Sequence, residues 1–240
     1  MNPRFFCSLP DEPTGVLALP TAVAHHVERV LRLSAGDPLT LFDGRGFEVE
    51  ARLEGKGRDL QAVLGERLAP LREPALRITL MQCLAASDKM DWIVQKAVEL
   101  GVVRVQPVSC RRAVVRLAGD RAERRVAHWR QIAVAACEQC GRNVVPEVLP
   151  LLSFEQAVAG ADGQRLLLHP EGGMALRGVG LKADQPISLL IGPEGGFDDD
   201  ELQAARGSGF AALTLGPRVL RTETAGVAVV AALNALIGDF

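Results

Sequence analysis

No stretch of the 240 residues approaches the roughly 20 consecutive apolar residues of a membrane-spanning helix. The longest candidate, 225–237, is short and is broken by Asn234, which excludes a helical membrane span. The opening Met1-Asn2-Pro3-Arg4-Phe5-Phe6 has no long apolar core before Asp11 and Glu12, so it does not resemble a secretory signal, and a cytoplasmic location is expected. Five cysteines are too few and too unevenly spaced for a disulfide framework. Their odd number leaves at least one thiol unpaired, and reduced thiols are expected throughout. Absent motifs remove several chemistries. There is no GxxxxGK[ST] to cradle a phosphate, no GxGxxG opening a helix after a strand, no HExxH and no GxSxG. The four histidines, His25, His26, His128 and His169, are scattered, so no metal site is expected. Neither an internal repeat nor a low-complexity tract is present.

The charge that is present is unevenly placed. With 27 basic and 29 acidic side chains the net charge is −2, yet residues 73–150 hold 12 basic against 8 acidic and residues 151–240 hold 6 against 11. Eight arginines lie between Arg104 and Arg130, opposed only by Asp120 and Glu123. Such a stretch is either a polyanion-binding surface or a solvated helix face. Only Trp129 interleaves with these arginines, so phosphate contact is the expected use rather than base stacking.

The first 70 residues alternate short apolar runs with turn signals. A helix is expected at 22–33, and a hairpin between 39–42 and 48–53 turning at Asp43-Gly44. The prolines Pro70 and Pro74 mark a linker, dividing the chain into a small strand-rich, barrel-like domain at 1–72 and a second domain at 73–240. From Ala75 onward, apolar runs at 76–84, 102–108, 165–169, 187–191 and 212–215 suggest buried parallel strands. Helices are expected at 88–100 and 120–140, ending at Gly101 and Gly141, and at 227–237. Asp120 with Glu123, and Asp198 with Glu201, have capping-box spacing. The second domain is therefore α/β. Within it, Cys137-Glu138-Gln139-Cys140 falls inside a helix and is expected to hold two buried, inert thiols.

Two glycine-proline loops follow strands: Ile191-Gly192-Pro193-Glu194-Gly195-Gly196-Phe197, and Leu215-Gly216-Pro217-Arg218-Val219-Leu220-Arg221-Thr222-Glu223-Thr224-Ala225. Open α/β sheets bind ligands beyond the carboxyl ends of their strands, so both loops point to one shared pocket. In chain order these loops, together with Arg4-Phe5-Phe6, His25-His26 to Arg32, Lys89-Met90-Asp91-Trp92-Ile93-Val94-Gln95-Lys96-Ala97 and Glu138-Gln139-Cys140-Gly141-Arg142, resemble the RsmE family. That family comprises bacterial 16S ribosomal RNA uridine-N3 methyltransferases of the SPOUT superfamily. The resemblance implies a PUA-like RNA-binding barrel, an α/β domain tied in a trefoil knot, a homodimer and S-adenosylmethionine as methyl donor. It implies 16S rRNA or the assembled small subunit as substrate; another RNA, a ribose 2′-hydroxyl, or a non-catalytic RNA-binding assembly role are the alternatives.

By the same resemblance the donor pocket is formed by Leu168 and His169, by Ile191, Gly192, Pro193, Glu194, Gly195 and Gly196, and by Leu215, Gly216, Arg218, Leu220, Thr222, Thr224 and Ala225. Arg221 or Arg142 would stabilise the uridine imide anion, and Glu223 or Glu138 would take its proton. Glu138 and Arg142 equally suit an i,i+4 ion pair. Glu194 would either contact the ligand or accept N–H groups at the start of the following helix. Arg4, Arg29 and Arg32, with Arg111 and Arg112, are the expected RNA contacts. Ser109-Cys110-Arg111-Arg112 departs from the family pattern, which more often places an acidic residue before the arginine.

Overall fold

The computed structural model describes residues 2–240, excepting the side chain of Arg58. Met1 of the opening segment lies outside them. The chain folds as two compact units, Met1–Glu73 with Cys137–Val145, and Pro74–Ala136 with Pro146–Phe240.

The first unit carries β1 (Arg4–Phe6), β2 (Val16–Ala18), α1 (Thr21–His25), β3 (Pro38–Phe42), β4 (Glu48–Glu54) and β5 (Gln61–Leu68). They form a five-stranded sheet ordered β1-β3-β4-β5-β2, with β1 parallel to β3 and the other pairs antiparallel. The alternation at 48–53 becomes β4, whose Val49, Ala51 and Leu53 enter the core while Glu50, Arg52 and Glu54 face solvent. The expected hairpin joins β3 to β4. The helix expected at 22–33 is shorter: α1 runs into a π-helical turn, His26–Val30, which buries only Val27. Arg32, at φ 57°, is left-handed and cannot continue it.

Cys137–Val145 returns to this unit through buried charge. Arg4, 8% exposed, pairs with Glu48 and donates to Asn143 Oδ1 at 2.7 Å and the Arg142 carbonyl at 3.3 Å. Arg72 reaches Glu48 at 2.8 Å and the Gly141 carbonyl at 3.2 Å. Glu73 accepts from Arg142 Nε at 3.0 Å and from the amides of Asn143 and Val144 at 2.8 and 2.9 Å. Burial pushes the Glu48 carboxyl up, but the guanidiniums of Arg4 and Arg72 outweigh it and hold it below its ordinary value. Arg4, expected at the RNA, is therefore committed inside the unit, with its charge spent on Glu48.

The second unit contains β6 (Ile78–Cys83), α2 (Ser87–Glu99), β7 (Arg104–Ser109), α3 (Gly119–Cys140, whose last four residues belong to the first unit), β8 (Glu147–Val148), β9 (Leu152–Ser153), α4 (Phe154–Ala159), β10 (Gln164–Leu168), β11 (Met174–Ala175), β12 (Ile187–Ile191), α5 (Asp199–Gly207), β13 (Ala211–Thr214) and α6 (Thr222–Ile237). The strands pair in parallel in the order β11-β13-β10-β12-β6-β7-β8, with β9 also against β7. All five residues of the inner strand β12 are buried, which explains its uninterrupted apolar sequence. Along β6 the period-two rule divides the side chains. Met81 and Cys83 join Phe154, Ala157 and Ala205 of α4 and α5, while Leu80 and Gln82 approach Gly226 of α6.

Gly101 and Gly141 end α2 and α3 at φ 85° and 88°. Asp198 and Glu201 form the reciprocal capping box at α5. A second box, Ser153 with Gln156, starts α4; its short helix was too weak a pattern to be seen in the sequence. Asp120 is not a cap, because α3 already begins at Gly119 and places it in the first helical turn, where a carboxylate favours the helix dipole. The last helix starts at Thr222, five residues before the apolar run that announced it.

The thiol expectation needs correction. Cys83 and Cys110 form a disulfide, with Cα atoms 5.9 Å apart. They are separated by 27 residues, but the parallel crossover sets Cys83 opposite Val108 and brings both side chains to one face. Cys7, Cys137 and Cys140 take no part in the disulfide; Cys7 and Cys137 are buried and Cys140 is half-buried. Burial pushes the Cys7 thiol up to about 11. The Cys140 hydrogen bond and burial push Cys137 up as well, so it is a poor nucleophile. Among the described residues no helix is long and apolar enough to cross a membrane.

Candidate functional site

A cavity of about 640 Å³ opens beyond the carboxyl ends of β10, β12 and β13, within the range of small-molecule sites. Both glycine-proline loops wall it. Leu168, His169, Ile191, Gly192, Pro193, Glu194, Gly195, Gly196, Leu215, Arg218, Leu220, Thr222 and Ala225 all line it, as do Arg221, Lys89 and Arg112. Gly216 and Thr224 do not. Gly216 turns the chain at φ 64°, and Thr224 lies in the first turn of α6.

A buried latch fixes the two loops to the sheet. Thr222 Oγ1 donates to the Gly192 carbonyl at 2.6 Å and accepts from Gln82 Nε2 at 3.0 Å. Gln82 is fully buried, so three elements converge on one hydroxyl away from competing water. Glycine at 195 is a steric requirement, since a Cβ there would stand 2.9 Å from the Arg112 carbonyl. That close approach brings the segment after β7 against the loop, and Arg112 Nη1 donates to the Phe197 carbonyl at 3.2 Å.

The charges around the cavity are of two kinds. Glu194 Oε1 accepts from the Ala86 amide at 3.1 Å and lies 3.2 Å from Lys89 Nζ. Lys89 also lies 3.3 Å from Glu223 Oε2. Burial pushes the Glu194 carboxyl up, but the Ala86 amide, its own backbone amide and Lys89 together hold it below its ordinary value. Glu194 thus caps the start of α2, which has no side-chain cap of its own, rather than the following helix, where Asp198 does that work. Arg218 and Arg221, by contrast, are exposed at the cavity mouth, with no side-chain hydrogen bond or ion pair among the described residues. They are charges without an internal partner, facing a cavity.

The remaining candidates lie elsewhere. Arg142 and Glu138 belong to the first unit and do not line the cavity. Arg142 pairs with Glu73, and Glu138 accepts from the Phe6 amide at 3.0 Å. Arg111 is held by Asp198 at 3.0 Å and Asp200 at 2.7 Å, and those carboxylates raise its guanidinium pKa. Its charge serves α5. Arg29 and Arg32 are exposed on the first unit along a groove of about 480 Å³ shared with Lys56. Nothing in the sequence local to Lys89 reveals the two distant carboxylates that it meets. Among the described residues no group of His, Cys, Asp and Glu could hold a metal ion.

A family model described as an RNA methyltransferase domain matches residues 72–234, and one described as an RNA methyltransferase PUA domain matches residues 19–63. Ribosomal RNA small subunit methyltransferase E of Bacillus subtilis is 30% identical over 96% of this chain and 95% of its own. The crystal structure of a ribosomal RNA small subunit methyltransferase E from Neisseria gonorrhoeae bound to S-adenosyl methionine is 37% identical, with a TM-score of 0.93 and 100% of both chains covered. A Legionella pneumophila chain solved with bound SAM is 34% identical, with a TM-score of 0.95 and 100% of both chains covered.

Proposed function

Because this chain belongs to the RsmE family of RNA methyltransferases, we propose that it methylates N3 of a uridine in 16S ribosomal RNA, using S-adenosylmethionine. The observation that carries the reading is the cavity walled by both glycine-proline loops, in a fold shared with a relative bound to that donor. The fit is physical: the cavity is roomy, part apolar through Ile191, Leu215 and Leu220, and edged by the glycine-rich loop at 192–196. The donor supplies a methyl group on a sulfonium, ready for in-line displacement.

The chain's own task is alignment and charge placement. The loops at 191–197 and 214–222, with Leu168 and His169, hold the donor. Uridine N3 keeps a proton and attacks poorly until that proton leaves, so a cation near its carbonyl oxygens favours the imide anion. Arg221, exposed and without an internal partner at the cavity mouth, suits this role. Arg142, the other candidate, is already neutralised by Glu73. Glu223, in the first turn of α6 beside the cavity, is better placed to take the proton than Glu138, which is bonded to Phe6. Arg29, Arg32 and Arg112 supply phosphate contacts, and such binding weakens steeply as salt rises. A homodimer uses the apolar α6, whose Leu236 is 43% exposed, and an rRNA substrate places the reaction in the cytoplasm.

The test is methyl transfer from labelled S-adenosylmethionine to small subunits lacking their native methylation, with the product nucleoside identified by mass spectrometry. N3-methyluridine is the expected product. A methylated ribose, or donor binding with no transfer to this RNA, overturns the assignment of N3 in 16S rRNA.

A further inference from the structure

Lys89 is the third residue of α2, and its ammonium stands between carboxylates from the two loops that wall the cavity, 3.2 Å from Glu194 Oε1 and 3.3 Å from Glu223 Oε2. Neither carboxylate has another ion-pair partner among the described residues. The Glu223 Oε2 atom is closed off from solvent and makes no directed hydrogen bond, so its charge is balanced across space by Lys89. Without that cation two like charges would face each other at the cavity wall and push the loops apart. Other charged or titratable groups lining the cavity are Arg112, His169, Arg218 and Arg221, and none of them pairs with either carboxylate. The fold does not need Lys89 to hold α2, because Met90, Ile93, Val94, Ala97 and Val98 already bury that helix.

We propose that Lys89 is a positioning residue: it clamps the loop at 192–197 to the first turn of α6, and so fixes Glu223 and the neighbouring Arg221 relative to a bound donor and uridine. The inference rests on the methyl-transfer reading above. It adds a residue that touches neither reactant and works through the two carboxylates.

The clamp is tested first without donor or RNA. In full-length Lys89→Met, amide hydrogen exchange at Gly195, Gly196 and the first turn of α6 rises about tenfold or more, reflecting local opening, while Lys89→Arg keeps it close to wild type. Unchanged exchange in Lys89→Met overturns the proposal, independently of any catalytic result. Kinetics on small subunits then give the second test. With saturating donor, kcat of Lys89→Met falls about 10²-fold, the size expected from misplaced reacting groups, and Lys89→Arg recovers most of it. Combining Lys89→Met with Glu223→Gln is no worse than the poorer single variant, because the two act as one unit. Multiplicative losses, or an undiminished kcat in Lys89→Met, overturn the positioning role. Wild-type protein that shows Lys89-dependent exchange but transfers no methyl group instead overturns the methyl-transfer reading and the catalytic half of this proposal with it, leaving only a structural clamp.

Discussion

Two arginines of the first unit, Arg4 and Arg142, turn inward, whereas two of the second, Arg218 and Arg221, face a cavity. Arg4 and Arg142 are 8% and 4% exposed, and their charges are spent on Glu48 and Glu73. Arg218 and Arg221 stand exposed beside the glycine loops with no internal partner. The same residue type does opposite work because of its surroundings. A guanidinium taken out of water must be paired and hydrogen-bonded or the unit does not fold, whereas one left at a cavity mouth remains free to meet charge that develops on a ligand. An arginine in a family motif is therefore assigned by its partners, and the motif alone does not separate the two cases.

The comparison is sharpened most by the pair of variants Arg221→Ala and Arg142→Ala. Arg221→Ala is expected to lower kcat by about 10²- to 10³-fold with the melting temperature unchanged. Arg142→Ala is expected to destabilise the first unit by about 3 kcal/mol, because Glu73 is left without its partner, as measured by hydrogen exchange in β3 to β5. An Arg142→Ala protein that stays stable while losing turnover would break the comparison and move the chemistry to Arg142.

Acid should separate the units next. The Glu48 carboxyl is held below its ordinary 4.5 in the folded protein, so its stabilising contribution is complete above that pH and is lost as pH falls further. Both tryptophans, Trp92 and Trp129, lie in the second unit. Hydrogen exchange in the barrel is therefore expected to accelerate below about pH 4 before tryptophan fluorescence changes, and coincident transitions would contradict the assignment. A smaller effect is expected from the cross-link of the second unit. Reducing Cys83–Cys110, or replacing both residues by alanine, should cost about 2 kcal/mol and lower the melting temperature by roughly 4 to 8 °C, in a calorimetric scan with and without reductant. The smallest is Thr222→Val, which keeps the shape but removes the bonds to Gly192 and Gln82. Donor affinity should fall about tenfold by calorimetry, and an unaltered affinity would show that the latch does not shape the cavity.

Much of the second unit was legible because parallel strands buried on both faces leave continuous apolar runs. The run at 187–191 is β12 residue for residue, and Gly101, Gly141 and the Asp198–Glu201 box mark helix ends through local chemistry alone. The cavity was legible for a related reason: each glycine-proline loop directly follows a strand, and the parallel topology gathers strand ends on one edge. Short elements escaped. β8, β9 and β11 are two residues each, too short to establish a period.

What the sequence determined by itself was the order of strands and helices, the termini that glycine and capping residues impose, and the family to which those motifs belong. Tertiary structure alone decided which charges are partners. Glu194 caps a helix 108 positions away, Glu73 captures Arg142 across 69, and Cys83 meets Cys110 across a crossover. Local pattern arises from backbone periodicity and neighbouring side chains, and these act over a few residues. Ion pairs and cross-links depend on which surfaces packing brings within a few ångströms, and no spacing along the chain records that distance.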